Sequence, residues 1–236
     1  MSFSIITVNL DNAAGLQKTI SNISLVREET SASVELIVID GGSSDESVDI
    51  INKNSKVVDR WVSENDRGVF DGMNKGMALA VNDWLVFMNS GDIFYNVQIL
   101  EIFRTKNIDP QINFVYGDAF QGGKVAYAQS IGMLKMGVIH ACHQSMFFRR
   151  SLNIEYGKDM KLYGDYGFVV DYVFQSPDRI LYLNEVIAET EPGGIGSKVS
   201  FQKRYEKYQQ VLVRFGPINF VLSFFYRIGR LFKTLK

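Results

Sequence analysis

The sequence holds a single cysteine, Cys142, and only four prolines in 236 residues. One thiol excludes an intramolecular disulfide and points to a reducing compartment. Scarce proline, with 22% charged and 46% hydrophobic residues, excludes wholesale disorder and leaves enough apolar mass for one sizeable core. No run approaches the roughly 18 consecutive apolar residues of a spanning helix. The opening MSFSIITVNL lacks the basic segment of a signal peptide, so its short apolar run reads as a buried strand. Only two histidines occur, His140 and His143, three apart as helical metal ligands can be. No second His or Cys cluster joins them, which argues against zinc and leaves phosphate or acceptor positioning, or local hydrogen bonding. Internal repeats and low-complexity segments are absent.

Charge is present but unevenly placed. The net charge is −1, yet residues 201–236 carry eight Lys/Arg against Glu206, so a +7 tail follows a −8 body. Such a tail suits an anionic surface. No nucleic-acid reading motif accompanies it.

The first 120 residues alternate between two periodicities. Apolar, β-branched runs at Phe3–Val8, Val34–Ile39, Val57–Val62, Trp84–Met88 and Asn113–Tyr116 predict strands. Between them, Ala13–Glu28, Asp45–Asn54, Val69–Val81 and Val97–Thr105 predict helices. Continuous runs such as LIVI suit strands covered on both faces, and the alternation predicts a doubly wound, Rossmann-like, mostly parallel α/β sheet. Further on, Met146–Phe148 is apolar, Tyr163–Phe174 predicts a helix and Arg179–Ala188 a strand. Glu191–Ser197 predicts a loop, and from Phe201 the pattern is helical, interrupted at Gly216-Pro217.

In a doubly wound sheet, ligands bind beyond the carboxyl ends of the strands, so the residues there carry the chemistry. They are Asn9, Asp11 and Asn12; Asp40 to Asp45; Ser63 to Gly68; and Asn89 to Asp92. Asp40 can accept a pyrimidine N–H while Gly41 and Gly42 let the backbone approach a ligand, although a plain strand–turn–helix needs no ligand. Asp92, directly after a buried run, suits a hard Mn²⁺ or Mg²⁺ ion. Asn-Ser-Gly-Asp is also good turn composition, the stronger reading when that motif is taken alone. Asp165 lies in an aromatic stretch, where a carboxylate is pushed toward the pKa of a general base; a helix cap is the plainer alternative.

Taken in order, SIITVNLDN, VIDGGSSDES, VSENDRGVFDGMNKGMALA, FMNSGD, VYGD, HQSMFFRR and YGDYGFVVDY resemble the bacterial family-2 glycosyltransferases of polysaccharide and lipid-linked glycan assembly. The resemblance covers about residues 3–197 and is most specific over Ser63–Ala80. It implies a GT-A fold over 1–200, with 1–120 binding a nucleotide-sugar (UDP-sugar favoured) and 121–200 facing the acceptor, followed by a helical tail. Thr7, Val8, Asn9 and Asp40 would hold the base. Glu64, Asp66 and Lys75 would line base and diphosphate. Asn89 and Asp92 would form the donor turn, with Asp92 on the metal. His143 and Gln144 would lie near phosphates or acceptor, and Asp165 would be the catalytic base of an inverting transfer. Two departures stand out: Ser90-Gly91 replaces the usual acid before Asp92, and Gly164 stands where a Glu is common before the base. The first leaves one carboxylate for the metal.

The tail places Ile218, Val221, Phe224, Phe225, Ile228, Leu231, Phe232 and Leu235 on one helical face and Arg227, Arg230 and Lys233 on the other. This fits a helix lying in an anionic membrane interface, on the inner face of the plasma membrane, or one packing on protein. The lipid-linked acceptors of the resembling family favour the first. Two rival functions remain: a nucleotidyltransferase, which would carry an Arg/Lys-rich phosphate loop that Thr7–Gly15 lacks, and a non-catalytic binding protein of the same fold, which the missing acids allow.

Overall fold

The computed structural model describes residues 1–157, 163–192 and 201–234, with no side chains described for Lys203 and 229–234. The expected loop Gly193–Ser197, the side chains of Arg230, Leu231, Phe232 and Lys233, and Leu235 lie outside the described residues.

Among the described residues, six α-helices and nine strands follow in the order β1 (Ser2–Asn9), α1 (Ala13–Glu28), β2 (Ser33–Asp40), α2 (Ser47–Lys53), β3 (Arg60–Ser63), α3 (Val69–Leu79), β4 (Trp84–Phe87), β5 (Ile93–Phe94), α4 (Ile99–Thr105), β6 (Phe114–Gln121), β7 (Lys124–Ala126), β8 (Met146–Arg149), α5 (Gly164–Gln175), β9 (Ile180–Glu189) and α6 (Phe201–Thr234). They build one mixed sheet ordered β3-β2-β1-β4-β8-β6-β9-β5, with β7 pairing β6. β3, β2, β1 and β4 are parallel; β8 runs antiparallel between β4 and β6; β6 and β9 are again parallel. The chain winds outward from β1 to β3, then returns to place β4 on the other side of β1. That reversal is the switch point where a doubly wound sheet opens a crevice.

Both faces are covered, which is why the strands are apolar throughout rather than alternating. Phe3, Ile5, Leu36, Val38, Trp84 and Val86 pack against Leu16, Ile20, Ile23 and Phe103 of α1 and α4. Ile6, Val8, Ile37, Ile39, Leu85 and Phe87 pack with Phe70, Met73, Phe168 and Tyr172 of α3 and α5. The α3 layer is unusually close. A Cβ on Gly72 would lie 2.9 Å from Val8 Cγ1, and one on Gly76 would enter the van der Waals space of Ile6 Cγ2. Glycine at spacing four therefore lets this helix lie flush on β1 and β2.

Some boundaries differ from expectation for local reasons. β3 starts at Arg60, not Val57, because Val57 and Val58 donate to Asn54 O (2.8 and 3.0 Å) and continue the turn after α2. β7 was not foreseen. It closes a hairpin through Gly122 (φ 56°) and Gly123 (φ 81°), the positive-φ pair that a two-residue turn requires.

α6 is two helices in effect, broken at Gly216 (φ 78°, ψ 178°) before Pro217. The first part is fastened to the domain: Glu206 accepts Tyr163 N–H (3.0 Å), Arg214 pairs with Asp171, and Val211 is fully buried. Beyond the break, Ser223 donates to Met136 O (2.7 Å), while Ile218, Phe224 and Phe225 stay 74%, 51% and 62% exposed. By length and composition, Arg204–Ile228 also reaches what a membrane-crossing helix needs, although no uninterrupted apolar run does.

Candidate active site at the carboxyl rim of the sheet

At the end of β1 and β2 the expected base-binding residues form a closed hydrogen-bond cluster. The Asn9 amide N–H group is shared among Asp40 Oδ1 (2.8 Å), Ser47 Oγ (2.8 Å) and Ser43 Oγ (3.2 Å). Asp40 also accepts Ser43 N–H (3.0 Å), Ser43 O–H (2.5 Å) and Ser63 O–H (2.7 Å). Burial pushes the Asp40 pKa up, but donors on Ser43, Ser63 and Asn9 outweigh it, and the net shift is downward. Four protein donors fill the roughly four acceptor positions of a carboxylate. Asp40 is fully buried and committed to the turn, so a base N–H would reach it only by replacing one of these donors. Thr7 and Asn9, also buried, keep an unpartnered Oγ1 and Oδ1, and Val8 packs beneath Gly72.

The segment after β3 lies directly over this turn. Glu64 N–H donates to Asp40 O (3.1 Å), a Cβ on Gly41 would sit 2.9 Å from Asp66 Oδ2, and one on Gly42 (φ 82°) would clash with Asn65 Oδ1. Two consecutive glycines are what this approach demands. Asp66 Oδ1 accepts Gly68 N–H (2.9 Å), shaping the entry to α3. On α3, Lys75 Nζ reaches Glu64 Oε1 at 2.7 Å and Asp71 Oδ2 at 3.8 Å. Glu64 is well exposed, and an exposed pair of this kind contributes about 0–1 kcal/mol, so Lys75 can exchange it cheaply for a phosphate.

The turn after β4 holds Asp92. Thr19 of α1 donates to Asp92 O (2.7 Å) and accepts Gly91 N–H (3.0 Å), and Lys18 Nζ donates to Gly91 O (3.1 Å). Asn89, in the same turn, keeps a buried Oδ1 without a partner. Asp92 is 7% exposed and accepts Glu191 N–H at 2.9 Å. Burial raises its pKa to about 6 against the opposing bonds from Glu191 N–H and Gln144, with the Glu191 charge adding to the rise. Glu191 was not singled out from the sequence; nothing in its local run marks it, and only β9 brings it here. Among the described residues no group of three or more His, Cys, Asp or Glu side chains assembles. A cation here would rely on Asp92, Glu191 and substrate phosphates. That donor set is all hard oxygen, and it fits Mn²⁺ or Mg²⁺.

The segment before β8 meets this turn through Cys142 and Gln144. The Cys142 thiol donates to Gln144 Oε1 (3.0 Å) and accepts from Gln121 (3.3 Å). Burial pushes the thiol pKa up to about 12, and the charges of both Asp92 and Asp165 contribute. Gln144 thus links Cys142 to Asp92. Asp165 lies in the first turn of α5, its Oδ1 accepting Tyr166 N–H at 2.8 Å. Gly164 has a packing reason: a Cβ there would lie 2.7 Å from the Phe70 ring, where a Glu has no room.

His143 departs from expectation. Its ring is buried among Phe87, Phe148 and Phe168, and its Nε2 shares a 2.7 Å bond with Tyr156 O–H. Burial holds its pKa down to about 3, so the ring is neutral at ordinary pH. The adjacent 3₁₀ turn, His143–Ser145, sends Gln144 the other way, to Asp92.

The sequence model of glycosyl transferase family 2 matches residues 4–157, two thirds of the chain and all four of these strand ends. The chain belongs to this family. A PGL/p-HBAD biosynthesis glycosyltransferase of Mycobacterium bovis is 28% identical over 239 residues, covering 91% of this chain and 86% of the relative. Among solved structures, S. aureus TarS 1-349 in complex with UDP-GlcNAc superposes with TM-score 0.69 at 16% identity over 90% of this chain. The chain spans 66% of that protein, a little under two thirds of its length. Glucosyl-3-phosphoglycerate synthase from Mycobacterium tuberculosis, in complex with Mn²⁺, UDP and glucosyl-3-phosphoglycerate, gives TM-score 0.61 at 17% identity, covering 89% and 77%. The fold is thus GT-A, and the chain is a glycosyltransferase.

Proposed function

We propose that this glycosyltransferase moves a sugar from a nucleoside-diphosphate sugar, UDP favoured, to a hydroxyl of a glycan or lipid-linked acceptor, with inversion at the anomeric carbon. The observation that carries the reading is the Asp92 carboxylate, buried in the turn after β4 beside the switch point of the sheet and bonded there by Glu191 N–H. Asp165 opens α5 in the second half of the chain.

In this reading residues 1–200 form the catalytic unit, with donor and acceptor halves meeting near 120, and 201–236 form an appended helix. Thr7, Val8 and Asn9 with the Asp40 turn form the base end of the donor site. Lys75, released from Glu64, faces the diphosphate, and Asp66 holds the loop between them. Asp92 would hold the divalent cation, Mn²⁺ or Mg²⁺, with Asn89 beside it on the donor. When bound, that cation neutralises charge on the departing diphosphate. Gln144 fixes the Asp92 carboxylate. Asp165 takes the proton from the acceptor hydroxyl as its oxygen attacks the face opposite the leaving group. The UDP complexes of the two structural relatives support the nucleotide, and the Mn²⁺ of one supports the ion.

The exposed apolar face of α6 beyond Gly216, with Arg227, supports a peripheral place on an anionic cytoplasmic membrane surface, where a lipid-linked acceptor would be found. Thermal shift of the pure protein with UDP, GDP, dTDP and CMP, each with and without Mn²⁺, tests the donor assignment. One diphosphate whose shift requires Mn²⁺ is the expected result; no shift with any of them would favour the non-catalytic reading.

A further inference from the structure

Position 91 is glycine in a chain whose family commonly carries an acid before the residue equivalent to Asp92, and the space beside it is filled from elsewhere. A Cβ on Gly91 would lie 2.7 Å from Glu191 Cδ and closer still to its Oε2. Any side chain at 91 would therefore enter the volume that the Glu191 carboxylate occupies. Glu191 is fixed there twice: its N–H donates to Asp92 Oδ1 at 2.9 Å, and its Oε2 accepts Asn12 Nδ2 at 3.2 Å. Among the described residues, no Lys or Arg forms an ion pair with either carboxylate. Lys18, whose Nζ donates to Gly91 O at 3.1 Å, brings one positive charge to this turn against the two carboxylates. The Asn89 Oδ1, buried and unpartnered in the same turn, adds a neutral oxygen.

We propose that Glu191 supplies the second carboxylate ligand of the donor-site cation, an acid from beyond β9 standing in for the acid missing at positions 90 and 91. This rests on the metal-dependent donor site proposed above. Asp92 alone would leave the ion to one carboxylate and phosphates; with Glu191 the protein contributes two, which is common for Mg²⁺ and Mn²⁺ sites on substrate phosphates. Gly91 is then part of the device, since only glycine leaves the space open and accepts φ 95° at no cost.

The test is Mn²⁺ binding, read from the free-ion EPR signal at saturating UDP, for wild type, Asp92→Asn and Glu191→Gln. Glu191 is exposed and its N–H is unchanged by the substitution, so the variant should keep the wild-type fold, which its melting curve checks. The expected result is weaker Mn²⁺ binding in Glu191→Gln by at least the roughly 10–100-fold that loss of an outer-shell partner costs. Pulsed EPR in D₂O should also count more water on the bound ion than in wild type, a change that a purely structural role would not produce. Wild-type affinity and water count in Glu191→Gln, with binding lost in Asp92→Asn, would overturn this inference and leave the donor site standing. Absence of Mn²⁺ binding in the wild type would overturn both.

Discussion

The Asp92 carboxylate accepts the backbone N–H of Glu191 at 2.9 Å across 99 residues of sequence, tying the turn after β4 to the end of β9. That bond joins the first half of the sheet to the last. It also holds a carboxylate in a place that penalises its charge.

The first prediction follows from that penalty. The Asp92 pKa is raised by burial to about 6 from 3.8, so its ionisation opposes folding at neutral pH. The cost is fully present above pH 6 and is relieved as the pH falls toward 3.8. Asp92→Asn removes the charge and keeps an oxygen for Glu191 N–H, so it should stabilise the metal-free protein by on the order of 1–3 kcal/mol at pH 7.5. Melting temperatures of the two proteins should converge near pH 4. The same variant should lose its Mn²⁺-dependent shift with UDP. A variant less stable than wild type at pH 7.5 would mean that the carboxylate is not desolvated.

A second prediction concerns Asp165. With donor and ion contacts made by other residues, Asp165→Asn should cut turnover by about 10²–10⁴-fold while leaving UDP binding within about twofold. Near-normal turnover would place the base elsewhere.

Gly76→Ala tests the close layer of α3. Alanine is better than glycine in a helix by about 1 kcal/mol, yet its Cβ would enter the space of Ile6 Cγ2 in the core. Overpacking of this kind costs about 1–3 kcal/mol, so a net loss is expected in urea unfolding. A gain in stability would show that α3 can shift outward freely.

Much of this architecture could be read from the chain because its signals are local. α1 begins and ends where the 3.6-residue pattern does, Ala13–Glu28, and β1, β2 and β4 follow unbroken apolar runs. Asp92 was legible for the same reason, as the polar end of a buried strand. Asp40 was legible as a strand-end acid, but not its four donors, which come from Asn9, Ser43 and Ser63 on three segments. Glu191 and the burial of His143 depend on long-range packing that no window of sequence contains. Gly122-Gly123 is a local turn signal, and it closes the β6–β7 hairpin. The spacing of Gly72 and Gly76 shows its purpose only when Val8 and Ile6 are seen beneath it.

The two histidines give the pH dependence. Burial lowers His140 to about 4 and His143 to about 3, below the 6.5 of an unfolded imidazole. Between pH 6.5 and 4 the unfolded chain therefore binds about two more protons at these sites, and stability falls as pH falls. Asp92 opposes them with one proton below pH 6. The metal-free wild type should lose roughly 1.4 kcal/mol per pH unit between pH 6 and 4, and Asp92→Asn about twice that. Equal slopes in the two proteins would contradict the assignment.

The last prediction concerns α6 beyond its break. If the apolar side of this segment covered the domain, its large residues would be buried, but Phe224 and Phe225 are 51% and 62% exposed while Ser223 between turns is fully buried against Met136. The face turned inward is therefore narrow, and the phenylalanines point away from it. Phe224→Glu with Phe225→Glu should leave the melting temperature within about 2 °C, because surface changes are usually worth under 0.5 kcal/mol. The same pair should abolish flotation with vesicles rich in anionic lipid, since it removes two apolar anchors and adds two negative charges beside Arg227. High salt should weaken wild-type flotation without abolishing it, because the apolar share of the contact is not screened. Unchanged flotation of the double variant would sink the membrane assignment, and a large fall in melting temperature would show that the face packs on protein instead, in this chain or a second copy.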